Sequence, residues 1–241
     1  MGPPRRLCTH RHGAGPALNA RAFGFDFDHT LGIDNKLERV AFLRLLEEAC
    51  CEGARSGTLA QETAAIDALL QRQRKGEFSI EHAAEMFVRE RGIADASGYA
   101  ERYKTIALES VNTFVIAEPN ARRLFTGLDR LNLPYAILSN GWSPLQERKA
   151  ERVGFSGPVI VSAAVGVQKP DRGAFHALTA ALDCPADAVA YVGDNPEIDV
   201  AGALAAGMQA VWFDAEGLRY PKELPAPNAV IHNLAELLDL L

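Results

Sequence analysis

Two aspartates two residues apart, Asp26 and Asp28, end the short apolar run AFGFDFD, and Thr30 continues their spacing. On a strand that stays regular to its end, all three side chains fall on one face. Carboxylates this close repel unless a cation lies beside them, and hard oxygen donors on a short loop suit Mg²⁺. A second acidic group follows in YVGDNPEIDVAGA. There Gly193 permits a tight turn, Asp194 can reach a metal from a strand end, and Pro196 can start a helix that carries Asp199 in its first turn. Between the two groups stands Lys169 in VQKPD, a point charge able to neutralise carboxylates or phosphate oxygens. Ser139, Asn140 and Gly141 of LSNG offer a hydroxyl and backbone N–H groups to an anion. Each feature alone has an ordinary reading as a solvated turn, a helix cap or a loop lysine. Together they would deposit carboxylates, a hydroxyl, a lysine and more carboxylates on one edge of one sheet.

The elements that must position these residues are legible as apolar runs. AFGFDFD, PYAILSN, PVIVSA, AVAYVGD and QAVWFD read as five strands apolar on both faces. Helical patterns over 120–131, 144–153, 171–182 and 197–206 precede the later four, and a last helix over 234–241 closes the chain. Alternation of this kind predicts an α/β fold, a doubly wound parallel sheet covered by helices on both sides. A core of residues 22–33 and 116–241 is expected.

Residues 34–115 break the rhythm. Leu37, Val40, Ala41, Leu45 and Leu46 form one apolar stripe at helical spacing, Ile66, Leu69 and Leu70 another, and Ala83, Met86, Phe87 and the segment 99–111 suggest two more helices. An all-helical cap domain inserted after the first strand would lie over the crevice where open α/β sheets bind ligands. Within it, Arg72 and Arg74 near Gly76 are candidates for meeting a phosphorylated substrate.

The first 25 residues lack Asp and Glu but are interrupted by Gly and Pro, which predicts a disordered tail over 1–21, or an over-extended start site, rather than a transit helix. With 31 acidic against 25 basic residues and no basic stripe, nucleic acid is not an expected partner. No apolar stretch is long enough for a membrane span. Cys8, Cys50, Cys51 and Cys184 show no CxxC spacing, which fits a reducing, cytoplasmic compartment and argues against a zinc site.

FDFDHTL, LSNG, QKPD and GDNPEIDVAGA resemble the four ordered motifs of the haloacid dehalogenase (HAD) superfamily, over about residues 22–214. The helical interval is similar to the C1 cap of its subfamily I. The resemblance implies a Rossmann-like core and a phosphatase that acts on a small phosphorylated metabolite through an aspartyl-phosphate. It implies Asp26 as nucleophile and Asp28 as general acid/base. Mg²⁺ would be held by Asp26, the main-chain carbonyl of Asp28, and Asp194. Lys169 and Ser139, with Asn140, Gly141 and Thr30, would serve the phosphate, and Asp199 would hold Lys169 or the metal waters. Because a halide leaves without a proton, Asp28 favours phosphate esters over haloacids. A phosphosugar mutase shares all four motifs and stays open. A receiver-like binding module is disfavoured by the insertion and the motif order. His29, between Asp28 and Thr30, is expected to point away from the carboxylates, and Trp142 either packs or touches the leaving group.

Overall fold

Every apolar run that marks a buried strand in the sequence forms one, each shorter than the run that announces it. The computed structural model describes residues 18–241. The first strand, β1 (Ala22–Phe25), is followed by a two-residue strand β2 (Gly32–Ile33). Four helices come next, α1 (Leu37–Cys51), α2 (Leu59–Arg74), α3 (Ile80–Arg89) and α4 (Tyr99–Phe114), and then a second two-residue strand, β3 (Ile116–Ala117). The rest alternates: α5 (Ala121–Arg130), β4 (Tyr135–Ser139), α6 (Leu145–Val153), β5 (Val159–Val161), the short α7 (Ser162–Val165) and α8 (Arg172–Leu182). β6 (Val189–Gly193), α9 (Gly202–Ala205), β7 (Gln209–Phe213) and β8 (Ala229–Ile231) complete it. A wide turn over Pro196–Ala201 leads into α9, and the expected last helix is a 3₁₀ segment, Leu234–Leu240.

Six strands form one parallel sheet in the order β5-β4-β1-β6-β7-β8. The chain leaves β1 toward one edge through β4 and β5, then returns to the other side of β1 with β6. The sheet therefore reverses direction at β1, and the carboxyl ends of β1, β4 and β6 share one crevice. Alternate residues serve opposite faces: Phe23, Phe25, Ile137 and Val192 pack with α5 and α6, while Ala22, Leu138 and Tyr191 pack with Phe175 and Leu178 of α8. A fully buried Phe of this kind contributes roughly 1.5–3 kcal/mol, which is what holds the strand ends in register.

The four helices between β2 and β3 are built on the expected stripes, with Leu37, Ala41, Leu45, Leu46, Ile66, Leu69, Leu70, Ala83 and Phe87 buried. Thr58 and Gln61 cap α2 reciprocally, and Ser79 accepts from the His82 N–H at the start of α3. Phe42, Phe87 and Tyr103 stack at centroid distances of 5.1 and 4.3 Å, and Tyr103 in turn lies 6.2 Å from Trp142 of the β4–α6 loop. One continuous apolar cluster thus joins the helices to the sheet. β2 pairs antiparallel with β3, Gly32 opposite Ala117 and Ile33 opposite Ile116, so the chain enters and leaves the helices through one small ribbon that the sequence does not announce.

The expected tail reaches too far. Residues 1–17, Cys8 among them, lie outside the described residues. Leu18 is buried and its N–H bonds the Leu240 carbonyl, Asn19 exchanges hydrogen bonds with Gln209, and the Arg21 N–H reaches the Ala188 carbonyl. Residues 18–21 therefore belong to the folded core. Among the described residues, no helix is long and apolar enough to cross a membrane.

Candidate active site

β1 stops at Phe25, so Asp26 and Asp28 sit in a loop rather than on a regular strand. Within that loop the Leu31 and Gly32 N–H groups both bond the Phe27 carbonyl, and His29 takes a left-handed φ of 63°. The turn separates the two carboxylates. Asp26 faces Lys169, and Asp28 faces α6.

Lys169 is almost fully buried and commits all three donors: 2.6 Å to Asp26 Oδ1, 2.8 Å to Asp199 Oδ1 and 2.9 Å to the Tyr191 hydroxyl. Asp199 uses its other oxygen to accept the Asn195 N–H at 3.1 Å. Gly193 lets it approach, because a Cβ there would stand 2.4 Å from the Cβ of Asp199. Asn140 exchanges two hydrogen bonds with the Lys169 backbone, 2.9 and 2.8 Å, and so pins the β4 loop to the lysine loop. Its side chain is thereby spent on the scaffold rather than left for a phosphate. Ser139 accepts the Gly141 N–H at 3.2 Å, which leaves its own O–H free to donate into the cleft.

Asp26, Asp194 and Asp199 each bring a carboxylate oxygen within 4.8 Å of the others. Burial, opposed by Lys169 and reinforced by Asp199, Asp194 and Asp28, holds the Asp26 carboxyl well above its usual range. Burial and the Asp199 carboxylate push Asp194 up to about 6. Three carboxylates against one lysine is an excess of negative charge in a dry place, which a hard divalent cation fits. Both Asp199 oxygens are already taken, so Asp26 and Asp194 are the side chains left to ligate directly. The carboxylate of Asp28 is not part of this cluster.

Asp28 instead accepts from two residues of α6: Lys149 Nζ at 2.9 Å and Gln146 Nε2 at 3.2 Å. Lys149 also reaches Asp34 Oδ2 at 3.2 Å. Burial pushes the Asp28 carboxyl up, but Lys149 and Gln146 outweigh it and hold it below its usual value. Gly141 makes room for this, since a Cβ there would stand 2.1 Å from Gln146 Nε2.

The remaining expectations divide. Thr30 is buried behind the loop, its hydroxyl without a partner among the described residues, and it does not line the cleft. His29 is exposed at the cleft rim; the prediction that it points away assumed a strand that in fact ends four residues earlier. Trp142 is buried and donates to Glu38 Oε1 at 3.2 Å, which also lies 3.4 Å from the Tyr103 hydroxyl. Arg74 binds the other oxygen of Glu38 at 3.2 Å and lines the cleft, whereas Arg72 turns away to Glu77 and the Phe78 ring. Sequence reasoning missed Lys149, Gln146, Asp34, Glu38 and Tyr191. For Lys149 a signal exists: it shares a helical stripe with Leu145 and Val153, and a lysine on a buried stripe requires a carboxylate partner.

A family model for haloacid dehalogenase-like hydrolase matches residues 20–207. The chain belongs to this family. Among its relatives, the phosphoserine phosphatase of Thermus thermophilus is 35% identical over 122 residues, which are 49% of each protein. The chain spans about half the length of the curated relatives it matches. Two solved structures share the fold: Bacillus subtilis YfnB bound to magnesium, at a TM-score of 0.68 and 23% identity over 92% of this chain and 98% of that one; and a 2-haloacid dehalogenase from Pseudomonas syringae, at 0.70 and 22% over 92% and 97%. Proteins named for either bond type share this fold.

Proposed function

We propose that this protein is a cytoplasmic, Mg²⁺-dependent phosphohydrolase of small phosphorylated metabolites, with the four-helix insertion, residues 34–115, as a cap over the cleft. The observation that carries the reading is Asp28: a second carboxylate facing the cleft, held by Lys149 and Gln146 two residues after the nucleophile. A carbon–halogen bond needs no proton donor to break; an alkyl phosphoester does. The phosphoserine phosphatase named above acts on a substrate of this class. Cys50, Cys51 and Cys184 are free, in keeping with a reducing compartment.

Asp26 would attack phosphorus and form an aspartyl-phosphate as the bond to the leaving oxygen breaks, dividing one hard hydrolysis into two easier steps. Because Lys149 and Gln146 hold its carboxyl below the usual range, Asp28 would relay a proton from the phosphate monoanion to the departing alkoxide and then take one from the water that attacks the acyl phosphate. Lys169 aims and partly neutralises Asp26, and the Ser139 hydroxyl donates to a transferring oxygen. Mg²⁺ held by Asp26 and Asp194 would offset the repulsion between nucleophile and phosphate, about 4 kcal/mol for unit charges 4 Å apart at an effective dielectric near 20.

A phosphate-release screen of metabolite phosphoesters with Mg²⁺, run beside a panel of 2-haloacids, tests the proposal. Phosphate should be released, and Asp26→Asn should lower that release by more than about 10⁴-fold, beyond what a positioned proton-transfer group alone supplies. Halide release without phosphate release would overturn it.

A further inference from the structure

Lys149 is 1% exposed, yet it lies at the seam of three parts of the molecule. Its helix, α6, follows the Ser139 loop; Asp28 belongs to the loop after β1; Asp34 follows β2, where the chain passes into the helical insertion. The Asp28 side chain is 35% exposed and would be free to swing toward solvent. It is held at both oxygens, by Lys149 at 2.9 Å and Gln146 at 3.2 Å, one helical turn apart on α6. Asp34 is fixed in its turn, because its second oxygen accepts the Lys36 N–H at 3.0 Å just before α1. A charged bond to Lys149, a second bond to Gln146 and an anchored counter-carboxylate fix the direction of the Asp28 carboxylate, Lys149 from behind the cleft wall and Gln146 and Asp34 from its lining.

We propose that Lys149, seconded by Gln146, is the positioning residue for Asp28, aiming its carboxylate at the leaving oxygen and tying that aim to the root of the insertion at Asp34. The inference rests on the reaction proposed above. It requires that Lys149 act through Asp28 and on proton transfer to the leaving group, not on the fold in general.

The test compares kcat/KM, which reports events up to the first irreversible phosphoryl transfer, for two substrates: an alkyl phosphoester from the screen, and 4-nitrophenyl phosphate, whose leaving group needs no proton. Lys149→Met should lower kcat/KM for the alkyl ester by roughly 10²-fold, the lower bound for a positioned acid, and for the aryl ester by less than about threefold. In an Asp28→Asn background the same substitution should add less than about threefold for either substrate, the non-additivity of residues acting as a unit. Should Lys149→Met fail to fold, Gln146→Leu, which removes no buried charge, carries the same comparison with a smaller but equally selective loss. Equal losses on both substrates, or an undiminished loss in the Asp28→Asn background, would overturn the inference while leaving the proposed function standing. A wild-type protein silent toward every phosphoester would overturn the proposed function and this inference together.

Discussion

Two buried lysines flank the cleft, and they differ in one respect. Lys169 and Lys149 are each almost fully excluded from water, and each bonds two carboxylates. Around Lys169 stand Asp26, Asp199 and, within reach of both, Asp194, three acids to one base. Around Lys149 stand Asp28 and Asp34, and the next acid, Glu38, already has Arg74. The first cluster carries the larger excess of negative charge, and Asp26 and Asp194 are held above their usual range; the second has one acid fewer for its lysine, and Asp28 is held below its own. Similar distances thus serve opposite ends. On the function proposed above, the larger excess is where a cation and a phosphate would sit, and the smaller one is a clamp on Asp28.

If that contrast is right, the two lysines should respond differently to replacement. Removing either one strands buried carboxylates and should cost about 3–5 kcal/mol. Mg²⁺ should restore much of the melting temperature of Lys169→Met, because a divalent cation can take over the missing charge, and none of that of Lys149→Met. Equal recovery in both, measured by thermal unfolding with and without chelator, would erase the distinction. In the unsubstituted protein, Mg²⁺ at about 100 times its Kd should stabilise by about 2.7 kcal/mol. Asp194→Asn should abolish most of that shift, whereas Asp34→Asn, in the Lys149 cluster, should leave it in place. The smallest expected effect is that of Gly141→Ala. Its methyl must displace Gln146, at a cost of roughly 1–3 kcal/mol of overpacking, and turnover of alkyl esters should fall with little change in Mg²⁺ binding.

The same contrast explains what could be read from the chain in advance. The Lys169 cluster was legible because parallel strands buried on both faces leave plain apolar runs, and their carboxyl ends must gather at one edge once the sheet is doubly wound. Asp26, Ser139, Lys169, Asp194 and Asp199 each follow such a run. The Lys149 cluster was not, since Asp28 and Asp34 lie 121 and 115 residues upstream of their partner, and the pairing is decided by how α6 settles on the sheet. β8 and the β2–β3 ribbon escaped for a different reason: two or three residues are too few to show a period. The reading of His29 failed because alternation was extended past Phe25, where the strand ends, and His29 itself takes the left-handed conformation that turns the chain. The tail was drawn too long because the hydrogen bonds that secure residues 18–21 run to β7 and to the end of the chain, which composition does not reveal.

The ribbon of Gly32–Ile33 with Ile116–Ala117 has a consequence for how such a chain could change over generations. Because both roots of the insertion are stitched side by side, the helices form a loop whose ends are already closed, and doubling the length of a flexible closed loop adds only about 0.6 kcal/mol. Helices could be lengthened, lost or exchanged above these two rungs with little penalty to the sheet beneath, so what overhangs the cleft can vary while the residues at the strand ends are inherited intact.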